Sequence, residues 1–197
     1  PQEGGSDFIL TGSGDDVVIG GAATDYINMA VDSSGQPIKL AGGTGSDVIL
    51  GDNGVALFDT ASGERVLTKI ATTDIYAAVG EPVVDYGDVD YIYAAAGFDV
   101  VFGGSGGDVI DAGLDAEGDV LVGDQGEVNF TADGLITDIR TTHPEWGGND
   151  TLISGGGDDI MLGGAGSDSI TTAGGNDIVV GDNGYALFDA EEVLIEI

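Results

Sequence analysis

Residues 150–180 read DTLISGGGDDIMLGGAGSDSITTAGGNDIVV, and this stretch decides the fold. An aspartate recurs there every nine residues, a glycine-rich segment precedes each one, and an aliphatic residue stands two positions after it. Four copies at a fixed spacing are the mark of a repeat architecture, in which each unit buries its apolar side chain by stacking on its neighbours. The sequence therefore predicts a solenoid.

The same register occurs twice more, earlier in the chain. The aspartates that keep it are Asp7, Asp16, Asp25 and Asp47, then Asp90, Asp99, Asp108 and Asp119, and finally Asp150, Asp159, Asp168 and Asp177. Two positions after them stand Ile9, Val18, Ile27, Ile49, Ile92, Val101, Ile110, Leu121, Leu152, Met161, Ile170 and Val179. All twelve positions are aliphatic, so the twelve units follow one repeat pattern. They fall into three blocks, 4–54, 85–126 and 147–184.

Each block ends on a similar phrase, which is GDNG at 51–54, GDQG at 123–126 and GDNG at 181–184. After it the nine-residue period stops, and apolar residues on either side of Asp-Gly or Ser-Gly turns predict β-hairpins. We expect hairpin inserts at 29–41, 55–84, 127–146 and 185–197, within a single solenoid region that spans residues 1–197. Inside the second of these inserts, residues 74–84 have no readable pattern.

The charge of the chain is strongly one-sided. With 4 basic and 36 acidic residues the net charge is −32, and all four basic residues lie in segments between the repeats: Lys39, Arg65, Lys69 and Arg140. A bound divalent cation can neutralise such blocks, and carboxylate and carbonyl oxygens are the ligands that a hard ion such as Ca²⁺ prefers. The charge argues against nucleic acid as a partner, because phosphate contacts need basic residues.

Several other classes are excluded by what the sequence lacks. It contains no cysteine, so disulfides and thiolate metal sites are excluded. No apolar run reaches the roughly 18 residues of a membrane span. The first residues have neither an initiating methionine nor the basic segment of a signal peptide, and we expect a piece of a longer polypeptide. His143 has no second histidine, cysteine or nucleophile as a partner, so we predict no enzymatic activity.

The nine-residue unit suggests how the aspartates meet. Its glycines permit a tight turn, and the three residues around the aliphatic form a strand that points this side chain inward. Two units make a coil of about 18 residues, and coils stack about 4.8 Å apart. The aspartates that then lie above one another are Asp7 with Asp25, Asp90 with Asp108, Asp150 with Asp168, Asp99 with Asp119, and Asp159 with Asp177. An ion between two such carboxylates can take an oxygen from each.

The candidate metal ligands follow from this stacking. They are the twelve repeat aspartates, the closing-phrase aspartates Asp52, Asp124 and Asp182, and the main-chain carbonyl groups of Gly12, Gly14, Gly43, Gly45, Gly104, Gly106, Gly155, Gly157, Gly164 and Gly166. For the three closing-phrase aspartates two interpretations stay open, an extra carboxylate ligand or a simple turn. The residues Ala23, Asp88 and Asp115 replace glycines, and insertions precede Asp47 and Asp119, so we expect fewer ions than aspartate pairs.

The core that these repeats can build is thin. One buried aliphatic side chain stabilises a unit by about 1.5–3 kcal/mol, whereas ordering nine residues costs about 1–2 kcal/mol for each backbone. We therefore expect the free energy of metal binding to serve as folding free energy. The predicted chain is extended without calcium and rigid with it.

Residues 163–171, GGAGSDSIT, match the nonapeptide G-G-x-G-x-D-x-U-x at every position. Here the chain resembles the RTX (repeats-in-toxin) family of hemolysin-type calcium-binding repeats. The resemblance implies an all-β fold, a calcium-stabilised parallel β-roll or β-solenoid that holds several Ca²⁺ ions, in a large adhesin-like protein. It also implies export through a type I secretion apparatus, and folding outside the cell or at the surface of a Gram-negative bacterium as a rigid spacer.

Two other functions are compatible with the same residues. The module could belong to a secreted protease, lipase or epimerase whose active domain lies elsewhere. It could also be an adhesin segment that binds carbohydrate or protein through Tyr86, Tyr91, Tyr93 and Trp146. A catalytic constellation upstream would favour the first, and binding to a glycan array the second.

Overall fold

The computed structural model describes residues 4–40, 43–60, 63, 65–73, 85 and 87–197. All regular structure in these residues is β, as the sequence predicts. The strands are β1 (Phe8–Ile9), β2 (Val17–Ile19), β3 (Tyr26–Ile27), β4 (Met29–Val31), β5 (Pro37–Lys39), β6 (Val48–Leu50), β7 (Gly54–Asp59), β8 (Val66–Thr72), β9 (Tyr91–Tyr93), β10 (Val100–Phe102), β11 (Val109–Asp111), β12 (Val120–Val122), β13 (Gly126–Phe130), β14 (Ile136–Thr141), β15 (Thr151–Ile153), β16 (Ile160–Leu162), β17 (Ser169–Thr171), β18 (Ile178–Val180), β19 (Tyr185–Phe188) and β20 (Leu194–Glu196). The described part of the chain has no helix long and apolar enough to cross a lipid bilayer.

The repeat strands form two parallel sheets of six strands each. The first, which we call the open sheet, has the order β1-β3-β9-β11-β15-β17. The second, which we call the covered sheet, has the order β18-β16-β12-β10-β6-β2. Successive repeat strands alternate between the two sheets, which confirms the predicted parallel β-roll. Both sheets contain strands from all three blocks, so the blocks form one continuous roll.

The inward aliphatic residues stack directly on one another along the roll. In the open sheet Ile110 lies between Ile92 and Leu152, and the covered sheet stacks its own aliphatic residues in the same way. Eleven of the twelve predicted residues belong to one buried cluster between the sheets or pack against it. The exception is Val179, which is 46% exposed because β18 is the last strand of its sheet and no coil covers it.

The three long inserts are hairpins, β7–β8, β13–β14 and β19–β20, and they join into one antiparallel sheet with the order β20-β19-β14-β13-β8-β7. This hairpin sheet packs against the outer face of the covered sheet. Leu50, Phe102 and Val122 of the covered sheet share a second buried cluster with Ile70 and Val128 of the hairpin sheet. The sequence predicts the hairpins, but it does not predict that they assemble into a third layer with its own core.

The short hairpin β4–β5 reaches the open sheet. Lys39 at its end forms an ion pair with Asp111 of β11, and its ammonium group lies 4.7 Å from the ring centroid of Tyr93 in β9. Residues 74–84 and Tyr86, which the sequence leaves uncertain or assigns to ligand binding, lie outside the described residues.

Candidate calcium sites

The repeat aspartates form a continuous ladder along each edge of the roll. On both edges, the main-chain amide of each aspartate donates a hydrogen bond to Oδ1 of the aspartate in the next coil. The first edge contains Asp7, Asp25, Asp90, Asp108, Asp150 and Asp168, with N···O distances of 2.7–3.0 Å. The second edge contains Asp16, Asp47, Asp99, Asp119, Asp159 and Asp177, with distances of 2.8–3.1 Å. The five aspartate pairs predicted from the sequence are therefore neighbours.

The ladders also cross the inserts, which spacing alone did not show. Asp25 and Asp90 are 65 residues apart, and their main-chain-to-carboxylate hydrogen bond measures 2.7 Å. Asp108 and Asp150 are 42 residues apart and are joined in the same way at 2.8 Å. Each insert therefore leaves the stacking of the coils on either side of it unchanged.

In many of the described ladder aspartates the second carboxylate oxygen, Oδ2, is buried and accepts no hydrogen bond. Among the described residues, Oδ2 has no hydrogen-bond partner in Asp16, Asp25, Asp47, Asp99, Asp108, Asp150 and Asp168. Of these, Asp25, Asp99 and Asp108 are wholly buried. An unsatisfied buried charge is costly, so such an oxygen needs either a proton or a cation.

Burial has a large effect on the acidity of these groups. It raises the pKa of Asp99 to about 7, and the charges of Asp47 and Asp115 act in the same direction. It raises the pKa of Asp150 to about 8, helped by the charges of Asp124 and Asp168. The pKa of Asp108 is also well above its ordinary value, mainly because of burial. A divalent cation between the coils would supply the countercharge that keeps these groups ionised.

Main-chain carbonyl groups converge on the bare oxygens of the first edge. A Cβ atom built on Gly103 would clash with both Asp108 Oδ2 and the carbonyl oxygen of Gly123 in the next coil. The same holds one coil further on, where Gly123 faces Asp150 Oδ2 and the carbonyl oxygen of Gly163. A carboxylate and a carbonyl oxygen thus approach the same point at each level, and this all-oxygen donor set fits Ca²⁺.

These carbonyl groups belong to the first residue of each turn, and they were not among the metal ligands predicted from the sequence. The signal for them was present, because glycine is kept at the corresponding positions 20, 51, 103, 123, 163 and 181 even where the rest of the turn is replaced by a hairpin. At the first five of these positions glycine is required for lack of space, since any side chain would meet the next coil, whereas a side chain at Gly181 in the last turn would meet nothing.

The predicted second- and fourth-position glycines do shape the turns. The fourth-position residues Gly106 and Gly166 have φ of 122° and 134°, a region that favours glycine. On the second edge the carbonyl oxygen of Gly14 faces the backbone of Gly45 in the next coil, and on the first edge Gly106 faces Gly148. Their carbonyl groups therefore stack in rows, and their role as metal ligands stays a prediction.

The closing-phrase aspartates bind main-chain amides. Asp124 accepts hydrogen bonds from the amide of Gly148, at 2.9 Å through Oδ1, and from the amide of Ala165 through Oδ2. Asp52 accepts one from the amide of Ser105, at 2.8 Å. Both thus tie the start of an insert to the next coil, whereas Asp182 in the last turn is exposed. Their role as metal ligands is likewise a prediction.

Side chains alone do not make a metal site in the described residues. No three acidic, histidine or cysteine side chains among them converge closely enough to hold an ion. His143 lies 3.9 Å from Glu145, and both side chains are about half exposed or more. In the described residues, a calcium site would therefore need main-chain carbonyl groups beside the carboxylates.

The comparison with protein families agrees with this geometry. The model of the RTX calcium-binding nonapeptide repeat matches residues 3–28, 39–55, 86–116, 147–170 and 154–185, which together make up more than half of the chain. A search of the curated proteins found no match. From the repeats and the matched residues we conclude that the chain belongs to the family of RTX calcium-binding nonapeptide repeats.

Proposed function

We propose that several Ca²⁺ ions bind along both edges of the roll and that their binding folds the chain. The observation that carries this proposal lies on the first edge, where four buried Oδ2 atoms face carbonyl groups of the next coil and have no hydrogen-bond partner among the described residues: those of Asp25, Asp108, Asp150 and Asp168. Binding free energy then becomes folding free energy, because the unfolded chain does not bring these oxygens together.

In this function the ladder aspartates have two roles. Oδ1 of Asp108 accepts the amide hydrogen bond of Asp90 and sets the register between two coils. Its Oδ2 binds the ion together with the first-position carbonyl group of Gly123. Asp99 and Asp159 act in the same way on the second edge, where the carbonyl groups come from the second- and fourth-position glycines.

The biological role that we infer is a calcium-dependent rigid spacer in a secreted or surface-exposed protein. The net charge of −32 keeps the chain expanded and soluble when calcium is scarce, which suits export of an unfolded chain by a type I secretion apparatus. Millimolar calcium outside a Gram-negative cell then folds it. We propose no catalysis, because the repeat is a structural calcium-binding module.

The experiment that tests this function compares the chain in EGTA and in millimolar CaCl₂ by far-UV circular dichroism. At pH 8 we expect a disordered spectrum in EGTA and a β spectrum with calcium. Magnesium should substitute poorly, because it is smaller and keeps its water molecules. A folded β spectrum in EGTA at pH 8 would contradict the proposal.

A further inference from the structure

A cleft lies on the hairpin sheet, where the end of β14, the third closing phrase and strands β19 and β20 meet. It encloses about 460 Å³, within the range of about 300–1,000 Å³ that is typical of small-ligand sites. Along β14 and β19 its lining residues alternate with the buried Ile139 and Ala186, so the cleft faces away from the roll. The residues that line it include Arg140, Pro144, Asn183, Tyr185, Leu187 and Glu196.

Hydrogen bonds hold the floor and the rim of the cleft in place. The amide of Thr141 donates to the carbonyl oxygen of Gly184, and the amide of Gly184 donates to Oγ1 of Thr141, both at 2.9 Å. In the turn that follows, His143 has a φ of 49°, which is uncommon for a residue other than glycine. Its carbonyl oxygen accepts the amide hydrogen bond of Trp146 at 2.9 Å, and the turn places Pro144 at the rim. The cleft is therefore formed before any ligand binds.

The charges beside the cleft are already paired with one another. Nε of Arg140 donates to Oδ1 of Asp138 at 2.7 Å and lies 3.5 Å from Oε1 of Glu127. Lys69 forms an ion pair with Glu127 on the same face. An anionic ligand would have to compete with these carboxylates, in a chain whose net charge is −32. A cationic ligand would meet the guanidinium group of Arg140. The cleft therefore fits a neutral ligand.

Hydrogen-bonding groups and apolar surface lie side by side in the cleft. The hydroxyl group of Tyr185 donates to Oε1 of Glu196 at 2.6 Å, and both residues are exposed. The carboxylate can accept further hydrogen bonds, and the side-chain amide of Asn183 can both donate and accept. The ring of Tyr185 and the side chains of Leu187 and Pro144 supply apolar surface beside these groups. A saccharide matches this combination, because its hydroxyl groups donate and accept while its C–H faces are apolar.

We propose that this cleft is a binding site for a neutral saccharide. The sugar hydroxyl groups bind Glu196, Asn183 and the hydroxyl group of Tyr185, and a C–H face of the sugar ring packs on the apolar wall. The site lies on the opposite side of the roll from Tyr91 and Tyr93 of the open sheet. The inference goes beyond the proposed calcium-binding function, because calcium serves here only to fold the sheet that carries the cleft.

The test applies the whole chain, folded in CaCl₂, to an array of oligosaccharides. One set contains neutral hexose and N-acetylhexosamine oligomers, and the other contains uronate-bearing and sulfated oligomers. We expect binding to neutral members only. Titration calorimetry with the neutral oligosaccharide that gives the strongest signal then compares variants, and Glu196→Gln should weaken binding at least about tenfold. The matched control Glu191→Gln changes an exposed side chain of the same hairpin that does not line the cleft, and it should bind as the wild type does.

A second variant keeps the shape of the cleft. Tyr185→Phe retains the ring and removes only the hydroxyl group, so it should keep the β spectrum in CaCl₂ and still bind several-fold more weakly. The inference would be overturned by a folded chain that binds no neutral oligosaccharide or prefers the acidic set. Unchanged affinity in both Tyr185→Phe and Glu196→Gln would overturn it too, as would an equal loss in Glu191→Gln. A chain that gains no β structure in CaCl₂ would instead contradict the proposed calcium-binding function.

Discussion

The open sheet and the covered sheet are built from the same repeat and have different surroundings. The outward residues of the open sheet include Tyr93 and Thr151, which keep part of their surface in solvent. The corresponding residues of the covered sheet include Leu50, Phe102 and Val122, which are buried beneath the hairpin sheet. The nonapeptide thus specifies the inward side chain, and the outward side chains determine whether another layer packs on the sheet.

The three long inserts are placed so that they cover only one of the two sheets. Each closing phrase directly follows a covered-sheet strand, namely β6, β12 or β18, and a hairpin begins at that point. Asp52 and Asp124 bind amides of the next coil there. Each long hairpin therefore starts at the end of a covered-sheet strand and folds back over its outer face.

The largest effect that we expect comes from the edges, which the two sheets share. In calcium-free buffer, lowering the pH from 8 to 5 should increase β structure. Burial raises the pKa of Asp25 to about 6, of Asp99 to about 7 and of Asp119 to about 8, against 3.8 for an ordinary aspartate. The folded chain binds more protons than the unfolded chain in this range, so its stability falls as the pH rises through 6–8.

Far-UV circular dichroism at each pH measures this effect, and amide hydrogen exchange at Val101 and Ile110 reports on one sheet each. Both amides should gain protection together. A β signal that is strongest at pH 8 would contradict the reasoning about the edges. Protection of only one amide would show that the edges do not couple the sheets.

Substitutions at the third position of a strand should then have different effects on stability in the two sheets. Phe102→Ala removes a wholly buried ring from the cluster under the hairpin sheet, and it should lower the free energy of unfolding in CaCl₂ by about 3–5 kcal/mol. Tyr93→Ala, at the equivalent position in the open sheet, loses its contact with Lys39 and should cost about 1 kcal/mol. Urea unfolding of both variants provides the measurement, and equal losses would mean that the sheets are covered alike.

A change from an aliphatic side chain to threonine should give a smaller difference of the same sign. Val122→Thr places a hydroxyl group in the second core, and we expect a loss of about 1–3 kcal/mol. Ile153→Thr lies at the matched position of the open sheet, where the side chain is half-buried, and should cost less than about 1 kcal/mol. Thermal unfolding in CaCl₂ checks the order of the two variants, and a larger loss for Ile153→Thr would reverse the comparison.

The smallest effect should come from the insert that touches the open sheet. Lys39→Met removes the ion pair with Asp111 and the contact with the ring of Tyr93. Because the Lys39 side chain is 44% exposed, the loss should stay below about 1 kcal/mol and shrink at high salt. Urea unfolding at two salt concentrations tests this, and a loss as large as that of Phe102→Ala would mean that the short hairpin stabilises the roll as much as the hairpin sheet does.

Much of the roll could be predicted from the regular spacing of residues along the chain. The nine-residue period predicted the inward stacking of residues such as Ile92, Ile110 and Leu152, and it predicted which aspartates are neighbours, because one coil always advances the chain by a single level. It did not predict that the first-position carbonyl groups face the carboxylates. The repeat shows that position 103 is a glycine, but only the structure shows that a side chain there would clash with oxygens of Asp108 and Gly123.

By itself the sequence determined the period, the turn glycines, the aliphatic core and the need for positive charge, since all of these depend on residues close together in the chain. Only the tertiary structure decided that the ladders pass unbroken across the inserts, as between Asp25 and Asp90, and that the three hairpins pair into one sheet over Phe102 and Val122. Contacts of this kind join residues that are far apart in sequence. Each apolar face could be buried in more than one way, and the free energy of the whole assembly selects among them.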